Sequence, residues 1–196
     1  IKRNQTCKAR GVKQGFKEDK AIADGPDFNY YSHVAKLYTA RMALFRSNRQ
    51  GRGIALKDVS TAFLQSQGYD GFVKCVSFKH SVTGEWVCYE QSGPICGEAS
   101  APVRWENAIA PFFEKLGFDR GENDPSVFYH PDRDQLVLLC VDDCLADGEE
   151  EDMRWFFDHL AGECDCKDTE WLSKEEPLDY LGMEIFMDDE FPHLSM

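Results

Sequence analysis

Three aspartates in this chain could do chemistry together, because each one ends a stretch that reads as a buried strand. Asp142 and Asp143 are adjacent and follow an unbroken apolar run over residues 136–141. Asp58 ends the alternating stretch "IALKD" in the same way. Two unpaired carboxylates about 4 Å apart repel each other by about 4 kcal/mol at an effective dielectric constant of about 20. A chain that holds them beside buried strands needs a compensating positive charge.

A divalent cation is the compensating charge that fits best, since Mg²⁺ is hard, prefers oxygen ligands and is held by few protein carboxylates. If Asp58 lies beside Asp142 and Asp143, three carboxylates could hold two metal ions about 3.5–4 Å apart, the arrangement used for in-line phosphoryl or nucleotidyl transfer. The alternative is a solvated acidic turn. Apolar residues on both sides of the pair favour a hairpin with two buried strands and its tip aimed at a ligand.

The elements that must position these aspartates alternate between helices and antiparallel hairpins, which predicts an α+β fold. The predicted strands are 54–59, 71–78, 85–90, 126–130 and 135–141, with a terminal hairpin over 178–196. The predicted helices are 33–45 with Ser32 as its cap, 101–117, and a helix that Asp147 caps, that Glu150 joins in a capping box and that Gly162 ends. The stretch "STAF" after Asp58 predicts a tight turn or a short helix.

Composition bounds the class of protein. A chain of 196 residues that is 42% apolar can bury a core, and its length suits one sizeable domain or two small ones. No apolar run approaches the ~18 residues of a membrane span and no secretory signal opens the chain, so we expect no membrane partner. The first residue is not Met, from which we expect a fragment or a processed piece.

Charge and cysteine content limit which binding partners and which cysteine chemistry the protein can have. The net charge of −13 excludes general binding of polyanions, but the first 20 residues carry seven Lys or Arg against two acidic residues. This asymmetry indicates one polyanion-facing surface. Several of the eight cysteines lie inside apolar runs, and Cys164-Asp165-Cys166 is not a zinc-finger spacing. We therefore expect reduced intracellular thiols and no zinc site.

Seven motifs follow one another in the order, and at roughly the spacing, of a known family. They are "KARGVKQGF", "SHVAKLYTAR", "ALKDVSTAFL", "ICGEASAPVRW", "DPSVF", "CVDD" and "YLGMEI". From about Lys8 to its C-terminus the chain resembles the reverse transcriptase domain of copia-type LTR retrotransposons, whose members carry "KARLVAKGF", "QLDVKTAFL", "LYGLKQAPRAW" and "YVDD" at these places. The combination of "KDVSTAFL" with a later "VDD" is specific, whereas each motif alone is weak.

This resemblance implies a right-hand polymerase fold of fingers and palm, with an antiparallel palm sheet backed by helices and no thumb. Residues 1–52 would form a fingers-like segment and a helix. Residues 53–196 would form the palm, with a nested fingers segment at about 65–100 and a primer-grip-like hairpin at the C-terminus.

The activity that the resemblance implies is RNA-directed DNA polymerisation, with two Mg²⁺ ions as cofactors and Mn²⁺ as their substitute. The implied partners are an RNA or DNA template with its primer, deoxynucleoside triphosphates, and the integrase and RNase H domains of a polyprotein. The implied location is intracellular, in the cytoplasm, the nucleus or a virus-like particle.

The resemblance also assigns roles to single residues. Asp58, Asp142 and Asp143 match the catalytic, metal-binding aspartates, and Val59 matches the residue whose backbone lies beside the second metal. Phe63 matches the aromatic residue under the incoming sugar, where a large ring leaves no room for a 2′-hydroxyl; its alternative role is that of a core aromatic. The remaining matches are Gly97, Lys8, Arg10 and Lys13 for the nucleotide and template, and Tyr180, Leu181 and Gly182 for the primer grip. For the three basic residues the alternative is a solvated basic edge, and for the last three it is an ordinary hairpin strand.

Several positions depart from the family pattern. Ala99 and Ser100 stand where the family has Lys-Gln, Cys140 replaces Tyr, His33 replaces Pro and Gly11 replaces Leu. The first two changes remove polar contacts near the nucleotide, and the third places a smaller side chain beside the primer end. Two alternatives to an active polymerase stay open: a decayed or repurposed domain that binds nucleic acid or protein, and a metal-carboxylate nuclease.

Overall fold

The structure, a computed structural model, describes residues 12–15, 24, 28–66, 68–69, 73–188 and 192–195. The described helices are α1 (Leu37–Gln50), α2 (Ala101–Lys115) and α3 (Glu150–Glu163), with a 3₁₀ helix at Ala62–Gln65. The described strands are β1 (Gly53–Asp58), β2 (Lys74–Lys79), β3 (Trp86–Gln91), β4 (Asp119–Arg120), β5 (Val127–His130), β6 (Gln135–Cys140), β7 (Asp143–Gly148), β8 (Glu170–Trp171), β9 (Leu178–Tyr180), β10 (Met183–Met187) and β11 (Pro192–Ser195). The predicted mixture of helices and antiparallel sheets is confirmed.

A six-stranded antiparallel sheet in the order β4-β5-β6-β7-β1-β8 forms the centre of the fold. Consecutive strands β4 to β7 pair as neighbours, and β1 then pairs with the far side of β7. Strands β2 and β3 form a separate two-stranded ribbon, and β9 to β11 form a three-stranded sheet. Because β7 has a partner strand on each side, its backbone hydrogen-bonding groups are paired and shielded from solvent.

Each face of the central sheet is covered by its own apolar core, as the alternation of side chains along a strand requires. On one face, Ala55 and Ala146 pack with residues of α2 and α3. On the other, Leu56 and Leu145 pack with residues of α1 and of β9 and β10. This double burial explains why β6 is apolar from Leu136 to Cys140 and why the middle of β7 is apolar.

Phe113 of α2 is the centre of the first core and has no exposed surface. Its ring makes edge contacts with Phe128 at 4.8 Å and with Phe156 at 5.2 Å between ring centroids. These contacts join α2 and α3 to each other and to β5, and so to one face of the central sheet. None of the described helices is both long enough and apolar enough to cross a lipid bilayer.

The predicted start of α1 is wrong by about one turn. The helix begins at Leu37, its N-cap is Lys36 without a side-chain cap hydrogen bond, and Ser32 lies outside it. The residues before the helix are held in an extended path because the backbone N–H and the ring Nδ1 of His33 bond to the Glu106 carboxylate. The helix also extends past the predicted end, to Gly51, whose φ of 65° lies in the left-handed region that ends helices well.

Asp147 is not the cap of α3, so that prediction is also wrong. It lies in β7 with a side chain that is 1% exposed, and its Oδ1 accepts a hydrogen bond from Arg46. The ion pair with Arg46 keeps Asp147 in the sheet, and α3 begins only at Glu150. Acidic residues fill the first turn of α3, where they complement the helix dipole, and Gly162 lies inside the helix instead of ending it.

The predicted terminal hairpin is present as β10 and β11, and β9 extends it to a three-stranded meander. The stretch 178–187 folds back on itself at Leu181 and Gly182, with φ values of 56° and 72°. Two consecutive residues with positive φ are typical of the tight turns that connect antiparallel strands. The turn leaves Tyr180 at the end of β9 and Met183 at the start of β10 as cross-strand partners.

The central role of Phe113 generates a stability prediction. Phe113→Ala should lower the free energy of unfolding by about 3–5 kcal/mol, because it removes buried apolar surface and leaves a cavity. Phe45→Ala is the matched control, since Phe45 is 65% exposed and its loss should change stability by less than about 0.5 kcal/mol. Urea denaturation of both variants measures the difference, and equal losses would contradict the assignment of the core.

Candidate active site

The tip of the hairpin between β6 and β7 carries the adjacent aspartates, as predicted. Cys140 ends β6, Val141 and Asp142 form the turn, and Asp143 begins β7. Val141 has a φ of 56°, which is strained for a β-branched residue, and its carbonyl oxygen accepts a 2.5 Å hydrogen bond from Trp105 Nε1. Strain of this kind persists only where surrounding structure holds it, and it is concentrated at functional sites.

The register between β1 and β7 brings Asp58 to the same place. Asp58 is the direct antiparallel partner of Asp143, and the N–H of Val59 donates to the carbonyl oxygen of Asp142 over 2.7 Å. Direct partners in an antiparallel pair point to the same face, with Cβ atoms about 4.5–5.5 Å apart. The three aspartates therefore lie at one end of two neighbouring strands.

The carboxylates influence one another electrostatically. Burial, together with the negative charges of Asp142 and Asp58, raises the pKa of Asp143 to about 6, although Lys167 lowers it. A buried carboxyl among like charges resists ionisation until a cation neutralises it. Oxygen donors in this environment have the chemistry that a hard divalent cation needs.

The described residues do not already form a complete metal-binding cluster. Among them, no group of three or more His, Cys, Asp or Glu side chains is arranged to hold a metal ion. The side chain of Asp58 is 23% exposed and is engaged elsewhere, in an ion pair with Lys167. The register brings the backbones of these residues together, and the metal-binding role of Asp58, Val59, Asp142 and Asp143 stays a prediction.

Lys167 is the residue at this site that the sequence did not predict. Its Nζ donates to Asp58 Oδ2 over 2.6 Å, and its backbone N–H donates to the carbonyl oxygen of Asp58 over 2.9 Å. The hydrogen bond with Asp58 raises the pKa of Lys167. In the sequence it stands in the acidic stretch "CDCKDTE", 109 residues from Asp58, where it reads as an ordinary solvated charge.

Phe63 lies in the 3₁₀ helix that follows β1, so the predicted short helix in "STAF" is present. The ring is partly buried and packs against the first core, and the carbonyl oxygen of Phe63 accepts a 2.7 Å hydrogen bond from Ser66 Oγ. This position, five residues after Asp58, suits both predicted roles. The core supports one side of the ring, and the rest of it can face a ligand.

Gly97 is held in close contact with the N-terminal segment. Its φ is 85°, and a Cβ added to it would meet the carbonyl oxygen of Lys13 at 2.1 Å. Backbone hydrogen bonds run from Lys13 N to Cys96 O over 2.8 Å and from Gly15 N to Gly97 O over 2.9 Å. Packing between two backbone segments therefore accounts for the glycine, while nucleotide binding by Gly97 stays a prediction. The predicted nucleotide contacts Lys8 and Arg10 lie outside the described residues.

A buried polar network supports the loop that follows Gly97. The Glu98 side chain has no exposed surface and accepts hydrogen bonds from Lys74 at 2.5 Å, Tyr69 at 2.6 Å and Gln91 at 2.6 Å. Burial raises the pKa of Glu98, but these hydrogen bonds outweigh it and hold the pKa below its usual value. A buried charge with this many partners fixes the base of the β2–β3 ribbon to the loop. The pattern of the sequence carried no signal for it.

The residues predicted as the primer grip separate into two environments. The Tyr180 side chain is fully buried in the second core. Leu181 is 38% exposed and forms the turn with Gly182. Asp179, one residue earlier, adds to the negative charge that acts on Asp143. The β9–β10 turn therefore belongs to the electrostatic surroundings of the aspartates, and only its tip is open to a ligand.

A small cavity lies beside the hairpin tip, and it explains one departure from the family pattern. Val141, Trp105 and His33 are among the residues that line it, together with Glu106 and Arg120. His33 Nδ1 is 2.5 Å from Glu106 Oε1, which also accepts a hydrogen bond from Arg120. The histidine in place of proline thus has a polar partner of its own and joins the segment before α1 to α2.

Comparison with known families now identifies the class of protein. The model of a family described as "Reverse transcriptase (RNA-dependent DNA polymerase)" matches residues 2–195. The match covers nearly the whole chain, so the chain belongs to the reverse transcriptase family. It is of the copia type, which confirms the resemblance found in its motifs. A search of curated proteins finds no match.

The raised pKa of Asp143 generates a pH prediction. The folded pKa of about 6 exceeds the usual 3.8, so the folded protein binds this proton more tightly than the unfolded chain. The resulting stabilisation is present at low pH and is lost as the pH rises through about 6. In buffer with EDTA, Asp143→Asn should therefore raise the melting temperature by about 2–4 °C at pH 7.5, with the gain vanishing near pH 4.

Asp132→Asn is the control for this comparison, because Asp132 is an exposed turn residue. It should leave the pH dependence of the melting temperature unchanged. Scanning fluorimetry from pH 4 to pH 8 measures all three proteins, and a gain for Asp143→Asn that is equal at both ends of this range would refute the electrostatic origin.

Proposed function

We propose that this domain is an RNA-directed DNA polymerase that adds deoxynucleotides to the 3′-hydroxyl of a primer by two-metal nucleotidyl transfer. The observation that carries the proposal is the pairing of Asp58 with Asp143, beside Asp142, at one end of the central sheet. Membership of the reverse transcriptase family supports the proposal, because RNA-dependent DNA polymerisation is the reaction for which this family is named.

In this proposal Asp58, Asp142 and Asp143 hold two Mg²⁺ ions, for which Mn²⁺ can substitute. Bound metal ions would make the primer hydroxyl a better nucleophile and neutralise the triphosphate and the leaving pyrophosphate. The backbone ligand that Val59 would offer a metal ion is its carbonyl oxygen, while its N–H donates to the backbone of Asp142. The partial burial of Asp143 keeps water away from one side of the site, which strengthens its attraction for a cation.

The substrates in this proposal are an RNA or DNA template with its primer and deoxynucleoside triphosphates. The ring of Phe63 would exclude the 2′-hydroxyl of a ribonucleotide. Gly97, Lys8 and Arg10 would approach the triphosphate or template, and the turn of Tyr180, Leu181 and Gly182 would contact the primer. We extend the proposal to a copia-type polyprotein, in which integrase and RNase H domains would accompany this one.

A second candidate function is a decayed or repurposed domain that binds nucleic acid or protein without catalysis. Two observations favour it. Ala99 and Ser100 replace the Lys-Gln pair that the family places near the nucleotide, and Ser100 is fully buried. Lys167 also occupies an oxygen of Asp58 that the polymerase needs. Primer extension separates this candidate from the first, because only a polymerase incorporates nucleotides.

Removal of any one of the aspartates should abolish most of the activity. Asp58→Asn, Asp142→Asn and Asp143→Asn should each lower the rate of primer extension by about 100-fold or more, because metal ions supply several kcal/mol of transition-state stabilisation. Asp132→Asn should retain the rate of the unmodified protein. The assay measures incorporation of labelled deoxynucleotide on a primed homopolymer with MgCl₂ at low salt, where phosphate contacts are strongest.

The same assay without deoxynucleotides, on a labelled duplex, tests the nuclease alternative. Metal-dependent cleavage that requires Asp58, Asp142 and Asp143 but yields no extension would overturn the polymerase proposal in favour of a nuclease. Neither extension nor cleavage, in protein that melts cooperatively, would favour the decayed or repurposed domain.

Phe63→Ala should change the choice of sugar more than the rate. Removing the ring opens space for a 2′-hydroxyl, so the ratio of ribonucleotide to deoxynucleotide incorporation should rise by about tenfold, the lower end of what a steric pocket discriminates. Phe45→Ala, on the exposed face of α1, should leave the ratio unchanged. Single-nucleotide extension measures the ratio, and an unchanged value for Phe63→Ala would assign this ring to the core alone.

A further inference from the structure

Lys167 is attached to the end of β1 through its backbone as well as through the ion pair of its side chain with Asp58. Ser60 N donates to Asp165 O over 2.8 Å, and Lys167 N donates to Asp58 O over 2.9 Å. Val59 and Cys166 form the antiparallel bridge between these bonds. The backbone on either side of the pair is therefore joined strand to strand, and the position of the Lys167 Cα is fixed beside Asp58.

A second contact holds the same segment in place. The side chain of Gln65 bonds to the backbone of Asp165 in both directions, from Nε2 to the carbonyl oxygen over 3.1 Å and from the N–H to Oε1 over 2.7 Å. The segment from Asp165 to Lys167 is thus attached both to the end of β1 and to the 3₁₀ helix after it. Loss of the ammonium contact alone would leave these bonds intact.

The side chain of Lys167, in contrast, is free to leave. It is 60% exposed, whereas Asp58 is 23% exposed, so the ammonium group reaches the carboxylate from the solvent side. Exposed ion pairs are weak, typically about 1 kcal/mol or less. The contact is thus reversible, with the backbone acting as a fixed support.

Lys57, the neighbour of Asp58 in β1, does not share this role. Its Nζ donates to Thr169 Oγ1 over 2.9 Å and lies 5.7 Å from the centre of the Phe157 ring, on the opposite face of the strand. Within the described part of the chain, the ammonium group paired with Asp58 is that of Lys167. One positive charge therefore faces three carboxylates.

We propose that Lys167 competes with a divalent metal ion for the Asp58 carboxylate, so that metal binding at the three aspartates releases the Lys167 ammonium group. The inference rests on the proposed function and adds to it a regulator of metal affinity within the chain. A divalent ion carries twice the charge of the ammonium group and can bind several carboxylates at once, so it displaces Lys167 progressively as the metal concentration rises. Without bound metal, Lys167 neutralises part of the repulsion among the aspartates.

Titration with MnCl₂, followed by electron paramagnetic resonance of the free ion, tests this competition directly and needs no activity. Lys167→Gln should bind Mn²⁺ about fivefold more tightly than the unmodified protein, the ratio that corresponds to about 1 kcal/mol. Lys167→Arg, which keeps the charge, should bind close to the unmodified protein. Lys115→Gln, which removes an exposed charge at the end of α2, should also leave the affinity unchanged.

Salt provides a second signature. The advantage of Lys167→Gln should shrink between 50 mM and 500 mM KCl, because exposed charges are screened. Melting temperatures of all variants establish that each one folds. Equal or weaker Mn²⁺ binding by Lys167→Gln, in a protein whose binding is abolished by Asp143→Asn, would overturn the competition and leave the proposed metal site standing. No saturable binding that depends on Asp143 in any of these proteins would overturn the metal site and the competition together.

Discussion

The antiparallel register between β1 and β7 is the constraint on which the candidate site depends. It makes Asp58 the partner of Asp143, and a shift by one residue would turn Asp58 to the opposite face of the sheet. The register is held from both faces, because residues of β1 alternate between the core under α2 and α3 and the core under α1. The position of a charged site is therefore set by apolar packing several residues away from it.

The buried carboxylates at the two ends of β7, Asp143 and Asp147, differ in their counter-ions. Burial raises the pKa of Asp147 to about 6 even though Arg46 lowers it, and burial among like charges does the same for Asp143. Arg46 is itself held by Asp134, so Asp147 has a permanent counter-ion. Asp143 shares its end of the strand with two further carboxylates and an exposed ammonium group. The ion pair with Arg46 offsets only part of the cost of burying Asp147, whereas a surplus of negative charge with a displaceable counter-ion suits a site that must accept cations.

Local patterns in the sequence predicted the elements and the hairpin tip but not the partners of the charged residues. The apolar run before Asp142, the amphipathic α2 and the strand ending at Asp58 are signals within a few residues of each other. The ion pairs at the two ends of β7 join residues far apart in the sequence, with a separation of 109 positions for Lys167 and Asp58 and 101 for Arg46 and Asp147. The capping motif predicted at Asp147 does not form, because Asp147 is instead buried in β7 and paired with the guanidinium group of Arg46.

The departures from the family pattern follow the same division between fold and site. The fold accommodates the changed residues His33 and Cys140, since His33 pairs with Glu106 and Cys140 packs in the second core. Ala99 and Ser100 instead replace the family's Lys-Gln pair shortly after Gly97, so this loop lacks a cationic side chain in a chain of net charge −13. A polyanion is repelled by three carboxylates unless cations neutralise them first. In the proposed polymerase, more of that neutralisation would fall to metal ions at Asp58, Asp142 and Asp143, and the proposed competition by Lys167 would set how readily those ions bind.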